Sequence, residues 1–74
     1  MSLELYVAAF LEEERGKEFC DVCVSEEVQS KVGILAKLSE VTNAAWTLTE
    51  LTEFGRSIGK CSLCKQVKVV TRVR

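Results

Sequence analysis

Histidine and proline are both absent from this 74-residue chain. Without histidine, the commonest general base is missing, and so are mixed Cys/His metal sites. A hydrolase built on a Ser-His or Cys-His pair is excluded. Aromatic residues are few: one Trp, one Tyr and three Phe. No apolar run approaches the roughly 18 residues of a membrane span. The segment 2–10 carries Glu4 and lacks a basic start, so it does not read as a secretion signal. A chain this short buries only about 60% of the surface its unfolded form exposes. A staple is therefore expected, in the form of disulfides, a metal or a partner subunit.

What is present is an ordinary globular composition, 47% hydrophobic and 28% charged, which argues against a wholly disordered chain. The expectation is one domain over residues 1–74. Its four cysteines fall as Cys20-x-x-Cys23 and Cys61-x-x-Cys64. Two such pairs without a secretion signal point to a tetrahedral thiolate site with Cys20, Cys23, Cys61 and Cys64 as ligands. One Zn²⁺ per chain is the expected occupant, and iron suits the same soft ligands. A disulfide framework would need an oxidising compartment. The expected setting is cytoplasmic. A thiol redox enzyme is the weakest alternative: Lys60 and Lys65 flank the second pair, but one metal accounts for both pairs. The chain reads as a non-enzyme with no evident small-molecule substrate.

Net charge is −1, but it is segregated. Residues 1–53 hold all eleven acids against Arg15, Lys17, Lys31 and Lys37, which gives −7. Residues 54–74 hold Arg56, Lys60, Lys65, Lys68, Arg72 and Arg74 and no acid, which gives +6. Such asymmetry suggests an anionic partner for the basic end, such as DNA. Equally, the basic end can fold back onto the acidic one.

Leu3, Tyr6, Val7, Phe10 and Leu11 form an apolar stripe at helical spacing, predicting a helix over 3–14 with Ser2 as N-cap and Gly16 closing its end. A second helix is expected to start inside or just after Cys20–Cys23, with Asp21 or Ser25 as cap. The stripe Val32, Leu35, Leu38 and Val41 continues as far as Thr42-Asn43. It is read as one helix or two over 25–42, with a break near Ser30 preferred. Thr47-x-x-Glu50 matches a capping box, and the threonine density around it favours extended chain. Trp46 is expected to plug the core. The basic end reads as a β-hairpin, 54–60 and 65–74, with the second cysteine pair in its turn. Val67, Val69, Thr71 and Val73 alternate with Gln66, Lys68, Val70, Arg72 and Arg74. The fold class is therefore α+β: two or three helices followed by a C-terminal hairpin, stapled by a zinc site of four cysteines.

Phe19-Cys20-Asp21-Val22-Cys23, the run Phe54-Gly55-Arg56 to Cys61-Ser62-Leu63-Cys64 and the Val-rich basic strand after it together resemble a small winged-helix domain stapled by zinc. They are similar also to zinc ribbons, although Val24 and Lys65 stand where the ribbon knuckle usually has Gly. The winged-helix resemblance implies DNA binding, with a helix in the major groove and the hairpin as wing. The implied contacts are Lys31 and Lys37 on the helix over 31–42, and Arg56, Lys60, Lys65, Lys68, Arg72 and Arg74 on the hairpin. The competing reading is a protein-interaction or assembly module, whose partner is another protein or a second copy joined through the apolar helix or an exposed strand edge.

Overall fold

The computed structural model describes residues 3–33 and 35–74. The proposed cap Ser2, and Ile34 near the second stripe, lie outside the described residues. Elements follow in the order α1 Leu3–Glu13, β1 Phe19–Cys20, α2 Asp21–Val32, α3 Leu38–Leu48, β2 Phe54–Lys60 and β3 Val67–Val73. The protein is thus α+β, with three helices and one three-stranded antiparallel sheet in the order β1-β3-β2. The apolar stripe of α1 buries Val7, Phe10 and Leu11. They meet Phe19, Val24, Val28, Val41, Phe54, Val70 and Val73 in a single core. Phe10 and Phe19 pack at 5.0 Å between ring centroids, tilted by 52°. Gly16, at φ +92°, turns the chain after α1 in a left-handed conformation, as expected.

The break between the two middle helices falls at Gly33 rather than at Ser30. Gly33 takes φ +76° and its N–H donates to the Gln29 carbonyl, closing α2 in the way glycine does best. Ser30 stays inside α2. Neither Asp21 nor Ser25 caps that helix: Cys20 occupies the cap position, without a side-chain bond. Ser25 is buried and its Oγ donates to the Ala36 carbonyl at 3.0 Å. Gln29 Nε2 donates to the same carbonyl at 3.1 Å, so these two side chains anchor the loop into α3. The helix expected over 31–42 is therefore the end of α2, a loop and the start of α3.

α3 runs past Thr42-Asn43 to Leu48. Its threonines do not extend the chain. Thr47 Oγ1 donates to the Asn43 carbonyl and Thr49 Oγ1 to the Trp46 carbonyl, while Val41, Ala44, Ala45 and Leu48 bury one face. Packing of that face overrides the β preference of threonine. Glu50 follows the helix instead of capping a new one.

The hairpin forms as expected, in continuous register from Phe54↔Val73 to Lys60↔Val67. β1 is an addition to the expected elements, because two residues carry no periodic signal. It pairs Phe19↔Thr71 and Cys20↔Val70, which makes β3 the central strand. β2 is therefore a free edge of the sheet, and the other side of β3 is covered by β1 only at Val70 and Thr71. With a neighbour on each side, β3 buries both Val70 and Thr71, although these residues point to opposite faces.

Candidate metal centre

Four sulfurs converge from two places in the chain. Cys20 is the last residue of β1, and Cys23 lies in the first turn of α2. The strand-to-helix junction thus presents two thiols at a helix N-terminus, where free N–H groups and the helix dipole favour thiolate. Cys61 directly follows β2, and Cys64 ends the turn after it. The Lys65 N–H returns to the Cys61 carbonyl at 3.0 Å, with Lys65 itself at φ +65°. The two halves are tied by backbone as well. Ser62 N–H donates to the Glu18 carbonyl at 2.8 Å, and Glu18 N–H donates to Ser62 Oγ at 3.3 Å.

The ligand atoms of Cys20, Cys23, Cys61 and Cys64 all lie within 4.8 Å of one another. Cys20 Sγ and Cys64 Sγ are 3.7 Å apart. That is too far for a disulfide, whose bond is about 2.05 Å. It matches the separation of about 3.8 Å between sulfurs placed tetrahedrally about 2.3 Å from one ion. All four cysteines are free of disulfides. The site can hold a metal ion, and it is the one the spacing indicated.

Local electrostatics divide the four. Burial raises the Cys20 and Cys23 thiols, and hydrogen bonding among the neighbouring thiols adds to the rise at Cys23. Burial also pushes Cys61 upward, but the backbone N–H groups of Cys20, Cys64 and Leu63 outweigh it and bring this thiol down to about 6. The Cys20 N–H reaches Cys61 Sγ at 3.4 Å. This wiring suits thiolates that ligate a cation: backbone donors stabilise sulfur charge, and the ion compensates the rest.

The basic residues have diverse fates. Arg56 is turned inward, its side chain 4% exposed, and its guanidinium grips Asp21 through two bonds of 2.8 and 3.1 Å. It also donates to Thr71 Oγ1 at 2.8 Å and stacks on the Trp46 ring at 4.7 Å. It has no free face for a phosphate. Arg72 pairs with Ser57 Oγ and with Glu18, and Lys31 with Glu13 and the Phe10 ring. Arg74 lies over Gly55, where an added Cβ would stand 2.7 Å from its Nε. Lys37, Lys60 and Lys65 are exposed and Lys68 is half-buried. The basic end therefore folds partly onto the acidic one. α3 contains Glu40 and no base.

Trp46 is not a core plug. It is 57% exposed, on the outer face of α3 above Arg56. Sequence reasoning missed the Asp21–Arg56–Trp46 group, since Asp21 and Arg56 are 35 residues apart and leave no local signal. Among the described residues, no helix is long and apolar enough to cross a membrane. Comparison with protein-family models, with curated proteins and with solved structures finds no significant match.

Proposed function

We propose that the protein is a zinc-stapled, winged-helix-like interaction module, and that its working surface is an apolar face between α3 and the hairpin. One observation carries this reading. Val22, Leu38 and Val69, with Asp21, Thr42 and Lys68 beside them, line a shallow cavity of about 210 Å³. Ile58 is opposite Val69 across the strands, and Val67 continues the row at Lys60. Trp46 joins the same side through Arg56, two residues along β2 from Ile58. Ile58 is 70% and Val67 71% exposed. Exposed apolar side chains gathered on one side in this way mark interaction sites, and an exposed Trp is a typical interface anchor. Helix order and hairpin support the winged-helix resemblance, but the helix that would enter a groove offers apolar and small polar side chains and Glu40 instead of cations. Zinc, rather than iron, is preferred for a purely structural site of four thiolates.

Nucleic-acid binding is the second reading, favoured by exposed Lys60, Lys65 and Arg74 on or beside the hairpin. The two separate by salt. Titration of zinc-loaded protein with mixed-sequence duplex DNA should show no binding that falls steeply between about 50 and 200 mM salt. Steep salt dependence, abolished by Lys60→Glu with Arg74→Glu, would overturn the interaction reading in favour of DNA. Sedimentation of wild type and Ile58→Asp tests the simplest partner, a second copy.

A further inference from the structure

We infer that the cysteine cluster is also a peroxide-modifiable site, at which Cys64 and Cys20 leave the metal as a disulfide that takes over the metal's structural tie. The inference rests on the metal reading of the same four residues. Three of the four cysteines are buried, and Cys64 alone is exposed. A small oxidant thus meets Cys64 first. Its Sγ already lies 3.7 Å from Cys20 Sγ. Forming a bond of about 2.05 Å requires an approach of only about 1.7 Å. Cys64 sits in the turn between β2 and β3, outside both strands, where such a shift disturbs no ladder bond.

The chemistry balances with a peroxide as oxidant. The Cys64 thiolate attacks one peroxide oxygen, the O–O bond breaks, and the departing hydroxide or alkoxide takes a proton. The resulting sulfenic acid is attacked at sulfur by the Cys20 thiolate, and its hydroxide leaves as water after taking a second proton. Two thiolates, one peroxide and two protons become one disulfide, one water and one further water or alcohol. The sulfurs are oxidised and the peroxide oxygens reduced; a bound metal ion keeps its charge. Cys23 and Cys61 then remain, and two thiolates are too few for a four-coordinate structural site, so the ion departs.

Which pair forms is the decisive point. A bond within Cys20-x-x-Cys23 or within Cys61-x-x-Cys64 links near neighbours and leaves the hairpin turn untied from α2. A Cys20–Cys64 bond spans 44 residues. It joins the same two places as the metal does, and closing a long loop restricts the unfolded chain most. Oxidation at this site exchanges one staple for another and leaves the fold standing.

The test treats the zinc-loaded full chain with stepwise hydrogen peroxide. Released zinc is followed with a chromogenic chelator, and the disulfide is mapped by non-reducing proteolysis and mass spectrometry. One zinc should be released for each loss of two mass units, with Cys20–Cys64 as the mapped bond. The oxidised protein should keep its thermal transition in excess chelator and lose it when reductant is added. Limited alkylation of wild type provides a second measure, and Cys64 should be labelled first. A mapped Cys20–Cys23 or Cys61–Cys64 bond, first labelling elsewhere, or loss of the transition on oxidation each overturns the inference. Elemental analysis of the reduced protein is read separately. Absence of zinc refutes the metal reading, and the disulfide map of the same chain still decides which pair forms.

Discussion

Replacing Asp21 with Ala should destabilise the protein strongly. The carboxylate is 17% exposed, and it accepts two bonds from a guanidinium that is 4% exposed and one from Thr42 Oγ1 at 2.9 Å. Removing it leaves a buried cation whose Nε already lacks a partner. Breaking a buried pair by deleting one member costs about 3–5 kcal/mol, and residual water access at Asp21 places this case at the lower figure. Asp21 also opens α2, but the lost helix-dipole contribution accounts for at most about 1 kcal/mol. A chain of this length has roughly 4–11 kcal/mol of total stability, so the loss is a large fraction. The melting temperature should fall by about 12–24 °C. Urea unfolding of zinc-loaded Asp21→Ala, Arg56→Met and the double variant gives the measure. The double variant should be more stable than Asp21→Ala alone, because a Met side chain fills the space without a stranded charge. If Asp21→Ala stays within about 0.5 kcal/mol of wild type, or if the two changes simply add, the network is not coupled and the reasoning fails.

Cys20→Ser or Cys61→Ser should lose both stoichiometric zinc and the cooperative thermal transition, as should chelation of wild type under reducing conditions; a chelated sample with an unchanged transition would separate metal from fold. Gly33→Ala should cost about 1–2 kcal/mol through strain alone, since φ is +76° and nothing lies within 4 Å of the added Cβ; urea midpoints that do not move would contradict this. Acid should release the ion. The four sulfurs carry no protons in the metal-bound native state, whereas unfolded thiols hold theirs below about pH 8.5, so the unfolded state binds more protons and stability falls as pH drops. A zinc-release titration with no loss between pH 7 and pH 4 would refute it.

Much of the fold is legible because its signals are local. The α1 stripe, the left-handed Gly16, the alternation of β3 and the two Cys-x-x-Cys pairs each lie within a short stretch of chain, where 3.6- and 2-residue periods or ligand spacing speak directly. Expectation and structure part where one local signal competes with another. Ser30 is a reasonable cap, yet Gly33 ends α2, because a left-handed closure at glycine is easier than a new cap inside a continuing helix. The threonines of 42–49 favour extended chain, yet α3 runs through them to bury Val41, Ala44, Ala45 and Leu48.

Residue type and spacing suffice for the four cysteines of the candidate metal centre, the hairpin that carries half of them, and the segregation of charge. Tertiary structure alone decided what the charge and the aromatic residues do. Arg56 counts as one of six bases in a basic segment until folding brings Asp21 and Trp46 to it. Trp46 counts as core by its size until α3 is rotated to put alanines inward. β3 counts as an edge until Phe19 and Cys20 pair along its far side. These outcomes rest on contacts between residues far apart in the chain, whose energies depend on burial and geometry that no short window of sequence contains.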